Sequence, residues 1–221
     1  AEEVLRGFDD LVRAGKIVYA GISDTPVWQI SRMQAIAELR GWTPFIALQI
    51  PYNLTERTVE RDFFAMAREM GMGVLPWSPL AGGVLSGKYT RDDLKAPADQ
   101  SLGALNSRKA MNLARGRLNE RTLDIADAVV AIAKEMGRSP SQVALAWTLL
   151  HPAVTSPLIG ARTYEQFEDN LAALDIAFSD EQIARLDEVS RIKPCFPHDM
   201  LTGEVNKGMF GGVDIEMPRW R

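Results

Sequence analysis

The chain is expected to adopt an α/β fold, and three features of its sequence support this. Short β-branched and aromatic runs alternate with amphipathic helical segments, the pattern of βαβ units around a parallel sheet. The first three runs recur roughly every 28 residues, close to the length of one unit in an eight-stranded β/α barrel. Only four such units fit into the chain. The sequence therefore predicts about half of a (β/α)8 TIM-type barrel.

The first part of the chain contains three of the predicted strands. They are the runs KIVYAGIS, TPFIALQI and MGVLPWS, whose β-branched and aromatic residues are typical of buried strands. An amphipathic helix precedes the first run and ends at Gly15. A second helix begins at Thr25 with Pro26 in its first position and ends at Gly41, and a third spans residues 55–70.

The second part of the chain is predicted to contain more helix than strand. A long polar excursion covers residues 79–119 and leads into a helix over residues 119–136. Ser139 and Gln142 form a capping box that opens the next helix. The run VTSPLIG is the fourth predicted strand.

The last part of the chain indicates two further helices and a tail. Thr163 and Ser179 each have a glutamine three residues later, so both are expected to cap helices. We interpret residues 1–221 as a single domain in which residues 192–221 form an ordered C-terminal loop. Because the chain opens within a helix at Ala1, we expect it to be a piece of a longer protein.

Composition excludes several classes of protein. The formal net charge is −4 and the isoelectric point is near 5.3, whereas a nucleic-acid surface requires a basic stripe. No apolar run is long enough to span a membrane. The only cysteine, Cys195, cannot form an internal disulfide, so we expect a reducing, cytoplasmic location. His151 and His198 match no zinc-ligand spacing, so no metal is expected.

Polar and aromatic residues cluster at the carboxyl ends of the predicted strands, where β/α barrels bind their ligands. The residues at these ends are Ser23, Asp24, Gln49, Trp77, Ser78, Gly160 and Arg162. Amides and hydroxyls suit a carboxamide, a large aromatic suits a planar ring, and arginine suits a phosphate. The set predicts a nicotinamide nucleotide. The alternatives are that Trp77 is a core residue and that Arg162 is a solvated loop charge.

A second nucleotide motif can be weighed against this one. The segment GGVLSGK from Gly82 to Lys88 has the glycine and lysine spacing of a P-loop. Tyr89 stands where the magnesium-binding hydroxyl should be, and polar residues follow in place of an apolar helix. The sequence therefore does not favour binding of a nucleoside triphosphate.

Five ordered blocks carry a resemblance to a known family. They are GKIVYAGIS, ELRGWTPFIALQIPYNLTER, GVLPWSPLAGGVLSGKY, SPSQVALAW and SPLIGARTYEQFEDNLAAL. These blocks resemble the C-terminal portion of the aldo-keto reductase family, in the bacterial branch that is similar to potassium-channel β subunits. The resemblance implies a TIM barrel that binds NADP(H) and reversibly reduces aldehydes and ketones to alcohols.

The resemblance assigns roles around the nicotinamide. It implies that Ser23 and Gln49 hold the carboxamide and that Trp77 stacks on the ring. Asp24 stands where the family usually has asparagine, so an amide donor is lost there. Pro51 is a further departure, because the family often has glutamate at that position.

The resemblance also assigns roles along the rest of the cofactor. The pyrophosphate would be wrapped by Ser78, Pro79, Leu80, Ala81 and Gly82, with Lys88 nearby. The adenosine end would be held by Gly160, Arg162, Gln166, Asp169 and Asn170, with Arg162 on the 2′-phosphate. Two alternatives stay open: Gln166 could only complete the cap at Thr163, and Asn170 could be an ordinary polar residue on a helix face.

No catalytic residue is assigned within the chain. The family's Asp, Tyr, Lys and His lie upstream of the matching segment, and Tyr52 has no paired lysine. We therefore expect an NADP-dependent reductase acting on a small carbonyl or alcohol substrate. The alternatives are a non-catalytic NADP(H)-binding or interaction module and a truncated, inactive remnant. Association with a missing half or with a second copy is also expected, since half a barrel leaves open sheet edges.

Overall fold

The sheet is parallel and contains three strands. The computed structural model describes residues 1–95, 107–200 and 207–213. Within them the strands are β1 (Ala20–Ser23), β2 (Phe45–Pro51) and β3 (Gly73–Trp77), in the order β1–β2–β3. Their carboxyl ends lie in register, because Ser23 pairs with Gln49 and Pro51 pairs with Trp77. The three predicted strands and their parallel arrangement are confirmed.

Helices alternate with these strands and then follow them. The described helices are α1 (Glu2–Arg13), α2 (Val27–Arg40), α3 (Phe63–Glu69), α4 (Arg108–Ala114), α5 (Glu120–Met136), α6 (Pro140–Leu149), α7 (Tyr164–Leu171) and α8 (Asp180–Ser190). No helix in the described part of the chain is both long and apolar enough to cross a membrane. The alternation is that of a mixed α/β protein built from βαβ units.

The predicted fourth strand, VTSPLIG, does not form a regular strand. Its segment runs parallel to β3: Val154 bridges Val74, and the N–H of Leu158 donates to the carbonyl oxygen of Pro76 at 2.8 Å. Pro76 and Pro157 have no N–H group, so each removes a donor that a ladder would need. The prediction of four strands was wrong in this respect, although the position and direction of the segment agree with it.

The polar excursion after β3 is more structured than predicted. Its described part contains two short 3₁₀ turns, Ala81–Ser86 and Arg91–Lys95, and the helix α4. Residues 96–106 of the excursion lie outside the described residues. The prediction of a long loop without helix was therefore wrong for its final third.

The predicted helix over residues 55–70 begins later than expected. The side-chain oxygen of Asn53 accepts hydrogen bonds from the N–H groups of Thr55 and Glu56 at 2.8 and 3.1 Å. This turn competes with helix formation, because a side chain replaces the backbone partners that a helix would use. A 3₁₀ turn over Thr58–Glu60 follows, and α3 begins only at Phe63.

Helix caps agree with the sequence. Capping boxes open α6 at Ser139 and α8 at Ser179, and Thr163 accepts a hydrogen bond from the N–H of Gln166 at the start of α7. A further box at Asn119, with Thr122 as its partner, opens α5. These caps fix the first residue of each helix and therefore constrain the positions of the loops that precede the helices.

A partly buried ionic cluster joins the segment after β2 to α8. The guanidinium of Arg57 donates to Glu60 and Asp187, both at 2.8 Å, and to the hydroxyl of Ser190 at 2.7 Å. Its charged carbon lies 5.0 Å from the ring centre of Trp147. Arg57 therefore links the segment between β2 and α3 to α8 through one side chain.

The C-terminal tail is described only in part. Residues 192–200 and 207–213 have described positions, and Cys195 is exposed there. Residues 201–206 and 214–221 of the predicted tail lie outside the described residues. The single-domain interpretation of residues 1–221 therefore stays a prediction.

Candidate functional site

Unusual backbone conformations mark the carboxyl ends of the strands. Asp24 follows β1, Ser78 follows β3 and Ala81 lies three residues further on; their φ angles are 48°, 55° and 50°. Residues with a side chain rarely adopt this left-handed region, and such conformations often cluster at binding sites. These strand ends are therefore the first candidates for a functional site.

Hydrogen bonds connect the three strand ends to one another. The hydroxyl of Ser23 donates to the backbone carbonyl of Gln49 at 2.8 Å. The indole N–H of Trp77 donates to a carboxylate oxygen of Asp24 at 3.1 Å. Asp24, which departs from the family pattern, thus orients the predicted ring-stacking residue.

A large cleft lies beyond these ends, between the loop after β3 and the start of α7. Its volume is about 590 Å³. It brings together nine of the predicted residues: Ser78, Pro79, Leu80, Gly82, Lys88, Gly160, Arg162, Gln166 and Asn170. Six predicted residues do not line it: Ser23, Asp24, Gln49, Trp77, Ala81 and Asp169.

This cleft carries three positive charges. Lys88, Arg162 and the unpredicted Arg108 line it, and none of the described aspartates or glutamates does. Among the described residues none of the three forms an ion pair, and Lys88 has only the ring of Tyr89 at 5.1 Å. Cations without carboxylate partners favour a ligand that carries several negative charges.

The glycine loop after β3 is held by an asparagine that the sequence did not single out. The side-chain amide of Asn112 donates to the carbonyl oxygen of Gly82 at 3.1 Å, while its own oxygen is buried without a hydrogen-bond partner. A Cβ at position 82 would lie 2.5 Å from that oxygen, and the φ angle of Gly82 is +66°. Glycine is therefore required here by space and by backbone conformation.

The opposite wall of the cleft is the loop before α7. The side-chain oxygen of Gln166 accepts a hydrogen bond from the N–H of Arg162 at 3.0 Å, and its own N–H donates to Thr163. Thr163 caps the helix, whereas the side chain of Gln166 bonds to Arg162 and does not complete a capping box. Gln166 also lines the cleft. Asn170 lines the cleft as well.

Asp169 has a different set of partners. Its carboxylate accepts hydrogen bonds from the hydroxyl of Ser139 at 2.8 Å and from the side-chain amide of Gln142 at 2.7 Å. These contacts hold the start of α6 against α7. The structure thus gives Asp169 a packing role, and its predicted contact with a cofactor stays a prediction.

A second cleft of about 310 Å³ adjoins the first. Trp77, Ser78 and Ala81 line one side, and the segment between α4 and α5 lines the other, including Arg115, Gly116, Arg117 and Asn119. Ser78 borders both clefts. The two spaces are therefore neighbours at the carboxyl edge of the sheet.

Two residues with the potential for acid–base chemistry are placed unfavourably for it. Tyr52 is buried and its hydroxyl donates to Glu60 at 2.9 Å; burial, followed by the charge of Glu60, raises its pKa far above the usual value. Burial lowers the pKa of His151, whose Nδ1 accepts a hydrogen bond from the N–H of Ala153. Burial therefore disfavours a positive charge on His151 at the end of α6. In the described part of the chain no cluster of side chains could hold a metal ion.

Comparisons with known proteins agree on one family. The model of the aldo/keto reductase family matches residues 1–191. An uncharacterized oxidoreductase of Bacillus subtilis is 36% identical over 189 residues, which are 85% of this chain and 53% of that protein. Versiconal hemiacetal acetate reductase of Aspergillus parasiticus is 32% identical over 188 residues, 85% of this chain and 52% of that protein.

A third relative names a cofactor. An NADP⁺-dependent aryl-alcohol dehydrogenase of Phanerodontia chrysosporium is 32% identical over 198 residues, 89% of this chain and 50% of that protein. The chain thus spans about half the length of these curated relatives.

Proposed function

Because the chain belongs to the aldo/keto reductase family, we propose that it forms the NADP(H)-binding part of an oxidoreductase that interconverts aldehydes or ketones and alcohols. By this proposal the chain supplies about the second half of a (β/α)8 barrel. The relatives named for reduction of a hemiacetal acetate and for NADP⁺-dependent oxidation of aryl alcohols support this reaction class. A small carbonyl or alcohol compound would be the substrate.

The observation that carries the proposal is the cationic cleft. NADP(H) has a pyrophosphate and a 2′-phosphate, and the cleft offers Lys88, Arg108 and Arg162 without a competing carboxylate. Arginine can bind a phosphate through two parallel N–H donors. The donor set fits a dinucleotide that carries an additional phosphate.

Each part of the cofactor has proposed partners in the chain. Arg162 would bind the 2′-phosphate beside the N-terminus of α7, and Lys88 and Arg108 would bind the pyrophosphate near the loop that contains Gly82. Trp77 would face the nicotinamide, oriented by its hydrogen bond to Asp24. When bound, the cofactor supplies the hydride.

The acid–base group of the reaction is proposed to come from residues other than those described here. Tyr52 is buried and holds its proton, and no lysine is among its described partners. A non-catalytic NADP(H)-binding module is the second candidate, favoured by the same observation. Reduction of an aldehyde by this polypeptide alone would exclude the second candidate.

Cofactor selectivity tests the proposal. NADPH is expected to quench tryptophan fluorescence, and Arg162→Ala should weaken NADPH binding at least about tenfold while NADH binding changes little, because only NADPH has the 2′-phosphate. Arg138→Ala is the matched control, since Arg138 is exposed and lines neither cleft. Equal losses for both cofactors would contradict the role of Arg162, and no binding of either would contradict the proposed function.

A further inference from the structure

The second cleft is adjacent to the proposed cofactor cleft but has its own set of charges. Three arginines line it, Arg115, Arg117 and Arg121, against one carboxylate, Glu56. The carboxylate of Glu56 already accepts hydrogen bonds from the backbone N–H and the hydroxyl of Thr58. The cleft therefore has an excess of positive charge in a protein whose net charge is −4.

The charges of these arginines are not neutralised within the described part of the chain. Arg121 donates to two backbone carbonyls, those of Thr55 at 3.3 Å and Ser190 at 3.1 Å, which orient it but carry no charge. Arg115 and Arg117 form no ion pair with any described residue. Guanidinium groups in this state bind carboxylates and phosphates well.

Arg117 lies beside Trp77, the residue whose ring is expected to face the nicotinamide. Its charged carbon lies 5.8 Å from the ring centre of Trp77, within the range of a cation–π contact. Trp77 itself lines the second cleft. A ligand held by Arg117 would therefore lie beside Trp77.

The backbone that presents the arginines is well defined. Gly116, between Arg115 and Arg117, has a φ angle of +62° and ends α4. The N–H groups of Arg117 and Leu118 both donate to the carbonyl oxygen of the buried Asn112, at 2.8 and 3.2 Å. A turn fixed in this way loses little further backbone freedom when a ligand binds.

We propose that the second cleft binds the anionic group, carboxylate or phosphate, of a small carbonyl or alcohol substrate, with Arg115 and Arg117 as the specificity-determining residues. This inference rests on the proposed function. The phosphates of the cofactor have their own cations, Lys88, Arg108 and Arg162, in the neighbouring cleft. The arginines of the second cleft are therefore left for a different anion.

Binding of matched ligands tests the inference without requiring turnover. Calorimetric titrations would use the chain saturated with NADP⁺ and three ligands: 4-(hydroxymethyl)benzoate, its methyl ester and 4-(hydroxymethyl)phenyl phosphate. The benzoate and its ester share a frame and differ in charge. We expect the benzoate or the phosphate to bind at least about tenfold more tightly than the ester. The anion that binds more tightly shows whether the cleft prefers a carboxylate or a phosphate.

Variants locate the binding site. Arg115→Gln combined with Arg117→Gln should remove the preference for the anion and leave the ester unchanged. Arg117→Lys keeps the positive charge but loses the planar guanidinium. We therefore expect it to reduce the preference for the anion by an intermediate amount. The control Arg138→Gln removes one exposed charge at the far end of α5, about 25 Å from its first turn. It should change none of the affinities.

The outcomes separate this inference from the proposed function. Tight NADP⁺ binding without a preference for the anion overturns the inference and leaves the function intact. Loss of the preference in Arg162→Ala, but not in the Arg117 variants, also overturns it, because the anion would then occupy the first cleft. A preference that depends on Arg117 in a chain that fails to bind NADP⁺ supports the anion site and contradicts the proposed function.

Discussion

At Gly82, the addition of a single carbon atom should measurably lower the free energy of unfolding. Gly82→Ala is expected to lower the free energy of unfolding by about 2–3 kcal/mol, because alanine is strained at this φ angle and its Cβ would displace Asn112. Gly137→Ala is the matched control: its φ angle is +63° and no atom lies within 4 Å of the added carbon. This control should lower the free energy of unfolding by only about 1 kcal/mol. Urea unfolding of both variants measures the difference, and equal losses would show that Asn112 moves aside freely.

His151 should make stability depend on pH. Burial lowers its pKa below the ordinary value of 6.5, so the folded protein holds the neutral ring more strongly than the unfolded chain does. The free energy of unfolding should therefore fall as pH decreases below about 6.5 and stop falling below the pKa of the folded state.

The variant His151→Gln isolates this effect. Urea unfolding at about pH 7.5 and about pH 5.5 should show a smaller pH dependence than in the unaltered chain, because glutamine does not titrate. An unchanged pH dependence would contradict the contribution of His151 and assign the effect to other titratable groups.

Individual site residues differed in how well the sequence predicted them. Lys88 and Arg162 belong to recognisable blocks next to predicted strands, and both line the cleft. Arg108 and Asn112 come from α4, a short helix within a polar segment whose apolar spacing is too weak to indicate a helix. Their place in the site depends on tertiary contacts with the loop after β3, which local sequence patterns do not encode.

At the scale of secondary-structure elements, Arg57 links the segment between β2 and α3 to α8. Its side chain is only 14% exposed, and Glu60 and Asp187 would lose their shared cation without it. Arg57→Gln should lower the free energy of unfolding by about 2–3 kcal/mol. Arg185→Gln is the control, because its pair with Glu135 is exposed at 39% and 45% and should contribute less than about 1 kcal/mol. Similar losses in the two variants would contradict a structural role for the buried cluster.

Elements with strong local signals were predicted best. The three strands, the caps at Ser139 and Ser179 and the stop at Gly41 appear where the sequence predicts them. The fourth strand failed because Pro157 and its neighbour Pro76 lack donors, although the apolar run around them resembles a strand. Side-chain turns also shifted a boundary, as Asn53 did before α3.

At the scale of the whole molecule, cofactor binding should raise thermal stability. A ligand at about 100 times its dissociation constant stabilises the folded state by about 2.7 kcal/mol. For a chain of 221 residues this corresponds to a rise in melting temperature of about 5–10 °C. Differential scanning fluorimetry with NADP⁺ measures it, and Arg162→Ala should reduce the rise. A full rise in that variant would contradict the assignment of the 2′-phosphate.

Ser78 is a single residue that forms part of both clefts, and its backbone is held in a left-handed conformation. Its carbonyl oxygen accepts a hydrogen bond from the side-chain amide of Asn53 at 3.0 Å, so the peptide cannot move without breaking that bond. A shift of this peptide on occupation of one cleft would alter the other. By thermodynamic linkage each ligand would then change the affinity of the other by the same factor. Through this shared wall, occupation of one cleft would alter the affinity of the other.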